Sequence, residues 1–281
     1  MFSEVPVIII DAHTHCFPDS IAPRAILSLQ KNSGNLRNYT DGTASDLIRS
    51  MDSEGIDYSF VLNIATNPKQ MHHVNAFAKS LIGTRLIPFA SVHPDSPEIM
   101  EELEWIKASG IPGIKFHPEY QGFFVDDARM KPVYKKISAL GLITVFHAGY
   151  DIGYGFPVHA SPVRMRRALA WFDSPVIAAH WGGWCSWNEV LKRLCATDIL
   201  FDTSFSQGTM PTPIAQRILD RHGSDRIVFG SDSPWHSPSM DLGLLSVLSM
   251  DKAQLDRILW KNALSLLDYA HYQLPAINDS L

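Results

Sequence analysis

The sequence contains few cysteines, and they lie far apart. Cys16, Cys185 and Cys195 are an odd number with no paired spacing, so they predict neither a disulfide framework nor a thiolate metal site. Stable disulfides are typical of oxidising compartments. Their expected absence favours a cytoplasmic location.

Long apolar segments, basic clusters and nucleotide-binding glycine motifs are also lacking. The apolar run after residues 1–6 is too short for a signal sequence or a membrane span. The formal net charge is -5, and no Lys/Arg stretch is interleaved with aromatic residues, which argues against nucleic-acid binding. No Gly-x-Gly-x-x-Gly turn follows the first apolar run, so a dinucleotide-binding sheet is not supported. We expect neither a membrane nor a nucleic-acid partner.

What the sequence does contain is a regular alternation of short apolar runs and longer amphipathic segments. Its 281 residues suit one α/β barrel, a fold that typically needs about 250. The predicted strands are residues 7–10, 60–64, 86–90, 113–116, 142–146, 176–179, 199–201 and 227–229. The predicted helices are 44–54, 71–82, 98–109, 127–140, 162–172, 187–195, 213–222 and 252–259, with a last helix at 263–272. This alternation predicts a single-domain (β/α)8 TIM barrel over residues 1–281 with an additional C-terminal helix.

Residues 16–42 form the longest segment without a predicted helix or strand. A segment of that length in a compact domain is often a functional lid, although a surface excursion is an equal alternative.

Polar residues follow the predicted strands, at the end where such barrels carry their active sites. The first run leads into His13 and His15, which share one face of an extended chain and could bind one metal ion or be hydrogen-bonded loop histidines. The later runs are followed by His93, by Lys115 and His117, and by His147, His180, Asp202 and Asp232. The strand ends therefore supply partners for the first pair.

Three histidines and one carboxylate, from His13, His15, His147 and Asp232, suit a zinc ion, with manganese or iron as alternatives. A water bound to such an ion becomes a nucleophile near neutral pH. His180 is the candidate for proton transfer, with Asp232 sharing the task. The alternative for His180 is a buried ring bonded to a backbone carbonyl.

Lys115 and His117 lie two residues apart on the fourth strand and are the candidate substrate-binding residues. Lys115 could hold a substrate carboxylate or be carbamylated between two metal ions. His117 could bind a second metal, contact substrate or do neither. One metal ion is the main expectation.

The motifs together resemble the amidohydrolase superfamily, and more closely its amidohydrolase-related branch, which includes aminocarboxymuconate semialdehyde decarboxylase and related decarboxylases, lactonases and hydratases. The resemblance rests on residues 11–15, 113–118, 147, 179–183 and 229–234. It implies a (β/α)8 barrel, a divalent metal held by His13, His15, His147 and Asp232, and His180 as the acid/base residue. Members of this branch are often dimers, which implies a homodimer.

Three functional hypotheses follow. The first is a metal-dependent hydrolase in which activated water attacks an ester, lactone or amide carbonyl. The second is a metal-dependent, non-oxidative decarboxylase of an unsaturated or aromatic acid, with Lys115, Arg24 or Arg37 holding a carboxylate. The third is a barrel that has lost its chemistry, against which the intact ligand set argues. In the first two the substrate is a small carbonyl or carboxylate compound.

Overall fold

The structure, a computed structural model, describes residues 8–276. Its strands are β1 (Ile10–Thr14), β2 (Tyr58–Leu62), β3 (Leu86–Ala90), β4 (Gly113–Phe116), β5 (Ile143–Phe146), β6 (Val176–Ala178), β7 (Leu200–Asp202) and β8 (Ile227–Val228). Its helices are α1 (Ala22–Asn32), α2 (Ala44–Glu54), α3 (Met71–Ser80), α4 (Ile99–Ala108), α5 (Pro118–Gln121), α6 (Lys131–Ala139), α7 (Pro162–Ala168), α8 (Trp187–Arg193), α9 (Thr212–His222), α10 (Pro238–Ser246), α11 (Lys252–Asp256) and α12 (Asn262–Tyr269).

The strands form one parallel sheet whose spatial order is the chain order, β1 to β8. Backbone hydrogen bonds join its two ends: Ala12 N donates to Phe229 O at 2.7 Å, and Asp232 N donates to His13 O at 2.8 Å. A parallel sheet closed in this way, with helices in the crossovers, is a (β/α)8 barrel. The predicted fold class and the additional C-terminal helix are confirmed.

The first strand lies further along the chain than predicted. It was expected at residues 7–10, of which residue 7 falls outside the described part, and it is found at Ile10–Thr14. Its polar residues are buried because each has a partner: Asp11 accepts a hydrogen bond from the Ser231 hydroxyl at 2.6 Å, and Thr14 donates to Phe60 O at 2.7 Å. Apolarity alone therefore placed the strand too early.

The sequence prediction also missed helices. Residues 16–42, expected to be irregular, contain α1, and α10 was not predicted. The first turn of α1 has no acidic residue, and its N-cap, Ile21, makes no side-chain capping bond, so a proline in the first turn is the one start signal present. By contrast α2 has both signals: Thr43 accepts a bond from Asp46 N, and Gly55 ends the helix at φ +71°.

The barrel interior is apolar at its lower end, by which we mean the end at which the strands begin. Phe60, Phe89, Ile143, Val145 and Ile177 belong to one buried cluster inside the sheet. Residues of α12 pack against the same cluster, namely Ala263, Leu266 and Leu267. The C-terminal helix thus covers the lower end of the barrel, and the open end is the one at which the strands finish.

Within residues 8–276, none of the helices has both the length and the apolar character needed to cross a membrane.

Candidate active site

A cavity of about 850 Å³ lies at the carboxyl ends of the strands. Seven residues that the sequence predicts to be catalytic, metal-binding or substrate-binding line it, namely His13, His15, Lys115, His117, His147, His180 and Asp232. The strand ends collect these side chains because each follows a buried strand of the same closed sheet. The structure therefore brings them together, while the role of each stays a prediction.

His13, His15 and Asp232 converge most closely. Asp232 Oδ1 lies 3.3 Å from His13 Nε2 and 3.1 Å from His15 Nε2. The other nitrogen of each ring already donates a proton: His13 Nδ1 to Asp202 Oδ2 at 2.8 Å, and His15 Nδ1 to Leu62 O at 2.9 Å. Both Nε2 atoms consequently present lone pairs to a carboxylate oxygen, and three acceptors that face one another call for a cation between them.

Asp202 orients this group from below. It is fully buried, and besides His13 it accepts bonds at Oδ1 from His180 N (2.9 Å) and Ser204 N (3.1 Å). A buried carboxylate that holds the far nitrogen of an imidazole fixes the ring and its tautomer. The geometry supports this orienting role for Asp202.

His180 and His147 form a second pair of facing acceptors. The Ser204 hydroxyl donates to Asp202 and lies 2.8 Å from His180 Nδ1, so that nitrogen is the donor of its ring. His147 Nε2 donates to Tyr150 O at 3.0 Å. The remaining atoms, His180 Nε2 and His147 Nδ1, are 3.2 Å apart and both carry lone pairs.

The predicted fourth ligand is less tightly grouped than the other three. His13, His15 and Asp232 offer ligand atoms that all lie within 4.8 Å of one another, and His147 does not belong to that group. In the present orientation only its Nδ1 offers a lone pair.

Lys115 lies deeper than the histidines. It pairs in register with Val145, two residues before His147, and is 1% exposed. Its Nζ donates to His13 Nε2 at 3.2 Å. Burial lowers the pKa of Lys115 to about 8, with Asp202 and Asp232 acting in the opposite direction.

His117 is engaged in ordinary contacts. Its Nε2 faces Asp151 Oδ2 at 3.4 Å, its Nδ1 accepts from Tyr120 N, and its ring stacks on those of Tyr120 and His147 at 3.6 and 4.1 Å. The His117, His147 and Asp151 group has the size of a metal site, so a second metal ion stays an alternative prediction.

Two site residues have strained backbones. His180 and Asp232 have φ values of +59° and +70°, a region that side chains other than glycine rarely occupy. A backbone hydrogen bond stabilises each conformation: His180 N donates to the Asp202 carboxylate, and Asp232 N donates to His13 O. Strain of this kind clusters at functional sites.

Burial sets the charges of the site. It lowers the pKa of His13 and His180 well below the usual value, lowers that of His147 to about 3, and raises that of Asp232. Neutral imidazoles are the form that binds a metal. The neutral rings, the hydrogen bonds that orient them and the lone pairs that face one another are together suited to binding a divalent cation.

Sequence reasoning missed several residues of the site. Ser204 follows Asp202 at a spacing of two on an extended segment, so the period-two rule could have found it. Asp151 and Tyr150 lie in the segment after His147, where no sequence signal marks them. Arg24 and Arg37, candidates for holding a carboxylate, are exposed and do not line the cavity.

Comparison with known proteins supports the fold and the family. A family model described as Amidohydrolase matches residues 10–269. Among curated proteins no sequence match was found. An uncharacterised TIM-barrel protein from Bordetella bronchiseptica has a TM-score of 0.75 and 18% identity, with 94% of this chain and 99% of that chain covered.

Two further solved structures carry functional names. A dihydroxybenzoic acid decarboxylase from Polaromonas, solved with bound manganese and an inhibitor, has a TM-score of 0.68 and 17% identity, covering 93% of this chain and 97% of its own. A putative 2-pyrone-4,6-dicarboxylic acid hydrolase from Pseudomonas putida has a TM-score of 0.65 and 14% identity, covering 94% and 98%. At these identities the likeness shows the fold.

The family model spans nearly all of the described barrel, including every strand end from which a site residue comes. The chain therefore belongs to the amidohydrolase family of metal-dependent enzymes.

Proposed function

We propose that the protein is a hydrolase that attacks an ester, lactone or amide carbonyl, and that it holds one divalent ion through His13, His15, His147 and Asp232. The observation that carries the proposal is the convergence of three acceptors, His13 Nε2, His15 Nε2 and Asp232 Oδ1. Lys115 Nζ, which lies 3.2 Å from His13 Nε2, supplies one donor to this group. The donor set favours zinc, with manganese or iron as alternatives. When bound, such an ion makes water nucleophilic near neutral pH and polarises a carbonyl oxygen.

The protein's own residues would move the protons. His180 Nε2 offers a lone pair to the cavity while its Nδ1 is held by Ser204, so the ring can take a proton at one defined atom. Asp232 has one oxygen directed at the two histidines, and we assign it a share of the proton transfer. Lys115 Nζ, beside His13, is placed to donate a hydrogen bond to a substrate oxygen.

Few formal charges line the cavity. Among the lining residues that the structure describes, Lys115 is the only lysine or arginine, and Asp151 and Asp232 are the only carboxylates. A decarboxylase must bind an anion, so Lys115 is also the one observation that favours the second candidate, decarboxylation of an unsaturated or aromatic acid.

Product analysis separates the two reactions. Protein purified without chelators is analysed for metal and incubated with esters, lactones and amides, and separately with aromatic and unsaturated carboxylates. We expect about one divalent ion per chain and acid release from the first panel. Release of CO2 from the second panel, with no hydrolysis in the first, would favour decarboxylation instead.

The free cysteines support the proposed location. None of the three cysteines is paired in a disulfide. Burial raises the pKa of Cys16 to about 12, so this thiol is a poor nucleophile. We propose a cytoplasmic enzyme that acts on a small carbonyl compound. A homodimer is proposed on family resemblance alone.

A further inference from the structure

The cavity has two chemically different parts. The ionisable groups described above come from the strand ends. The other part lies between α1 and α3, and we call it the α1–α3 groove; Ile21, Ala25 and Leu29 line one side, and Gln70, Val74 and Phe77 line the other.

The spacing of these residues shows that each helix turns one face to the groove. On the α1 side they recur every four residues, and on the α3 side after four and three, which places each set on a single helical face. Leu29, Val74 and Phe77 are half-buried, although helix faces of this composition are normally packed in a core. The groove thus offers apolar surface that the described chain itself leaves partly uncovered.

The groove carries no formal charge. Within residues 8–276, every lysine, aspartate or glutamate that lines the cavity lies at or just after a strand end, namely Lys115, Asp151 and Asp232. The groove's polar lining consists of neutral groups such as Ser28, Thr66 and Gln70, with His73 at its edge. A charged arm of a substrate would find no counter-ion there.

The rim of the cavity is apolar as well. Ile152 and Tyr154, in the segment after β5, line the cavity and are 43% and 47% exposed. That segment approaches α1 closely, since a Cβ placed on Gly153 would lie 3.0 Å from Asn32 O. Large exposed hydrophobic residues grouped at one opening mark a binding surface more often than scattered ones do.

We infer that the α1–α3 groove binds an uncharged, apolar arm of the substrate, such as an alkyl or acyl chain, while the hydrolysed carbonyl lies among the strand-end residues. The inference rests on the hydrolase proposed above and specifies its substrate class. It assigns residues 16–42 a function, since α1 supplies one wall of the specificity pocket.

A chain-length series tests the inference in the metal-loaded enzyme. The substrates are p-nitrophenyl acetate, butyrate and octanoate. We expect kcat/KM to rise at least tenfold from acetate to octanoate, because burying even two methylene groups is worth about that factor. A flat profile with measurable acetate hydrolysis would overturn the inference and leave the proposed reaction standing.

Two adjacent residues of α1 provide a matched pair of variants. Ala25→Trp fills the groove, while Arg24→Trp places the same side chain at an exposed neighbouring position that does not line the cavity. We expect Ala25→Trp to lose about tenfold in kcat/KM for octanoate and to stay within about threefold for acetate. Arg24→Trp should resemble the parent on both. Equal losses in the two variants would contradict the assignment.

A second pair tests charge rather than volume. Leu29→Asp places a carboxylate in the groove, whereas Leu27→Asp changes a leucine that is 66% exposed and outside the lining. The expected result is a higher KM for octanoate in Leu29→Asp alone.

A binding measurement keeps the inference separate from the reaction. N-phenyl-1-naphthylamine, an uncharged apolar fluorophore, is titrated into the parent protein and into both tryptophan variants. Weaker binding in Ala25→Trp but not in Arg24→Trp supports the groove as an apolar binding site. If no ester, lactone or amide is turned over, that result refutes only the proposed function. Equal binding by all three proteins refutes the groove.

Discussion

The two ends of the barrel are built from the same strands and have opposite chemistry. On β5, Ile143 and Val145 point into the apolar interior, and His147 follows two residues later on the same face. The lower end packs phenylalanine and aliphatic side chains beneath α12. The upper end holds rings and carboxylates whose ordinary charges burial disfavours.

The difference shows where stability is gained and where it is given up. Apolar burial stabilises the lower end, by about 25 cal/mol for each Å² removed from water. At the upper end Lys115 is buried, and among the hydrogen bonds and ion pairs of the described residues it has no carboxylate in direct contact. His180 and Asp232 have strained backbones there as well. Local rules are commonly broken at functional sites and compensated elsewhere.

The largest effect should come from the converging group. His13→Ala and His15→Ala remove a lone pair each and leave the lower barrel intact, so we expect both variants to fold, to lose the metal and to lose at least about 1,000-fold in kcat/KM. Metal analysis and circular dichroism are the measurements. Stoichiometric metal in both variants would contradict the ligand assignment.

A smaller loss is expected at His180. Its Nδ1 is held by Ser204, and its Nε2 lies 3.2 Å from His147 Nδ1. His180→Ala should therefore keep the metal and lose about 100- to 1,000-fold in kcat, the lower part of the range for general acid–base catalysis. Metal content and steady-state kinetics are measured on the same preparation. Turnover near that of the parent would show that another group moves the proton.

The lower end should show the converse behaviour. Ile143→Ala leaves a cavity in the packed interior, and we expect it to reduce the free energy of unfolding by about 3 kcal/mol. The kcat/KM per folded molecule should stay within about twofold of the parent. Urea unfolding monitored by circular dichroism gives the first quantity. A large change in kcat/KM would mean that the two ends are not separable.

The smallest effect concerns Lys115 in metal-free protein. Its folded pKa, about 8, lies below the ordinary lysine value of 10.5, so between these values the unfolded chain binds more protons and stability rises with pH. Lys115→Met should remove that rise and should be more stable than the parent at pH 7, where the cost of burying the charged amine is fully present. Unfolding at several pH values tests this, with Lys31→Met, an exposed residue, as the control. Parallel pH profiles in the parent and in Lys115→Met would contradict it.

The sequence predicts those parts of the molecule in which local pattern and global fold agree. The apolar runs locate seven of the strands closely, and glycines and caps mark helices such as α2. The first strand is displaced because Asp11 and Thr14 are polar yet buried, and their partners, Ser231 and Phe60, lie far away in the chain. No local window contains that information.

The same limit applies to the site. The period-two alternation of strands and the rule that active sites lie at strand ends select seven residues that line one cavity, and also His93 and Asp202, which do not line it. They cannot show that His147 presents Nδ1 rather than Nε2, because that depends on Tyr150 O. Nor can they show that Arg24 is exposed outside the cavity, since the helix that carries it has neither a capping side chain nor an acidic first turn.

The closure of the barrel has a consequence for how the protein is made. His15 and Asp232 are 217 residues apart in sequence, and they meet where the end of β1 joins the segment after β8. A nascent chain that has released its first seven strand–helix units still lacks the carboxylate. Metal occupancy is therefore a reporter of completed synthesis and ring closure, and any ion bound there favours the closed barrel over partly assembled forms by mass action.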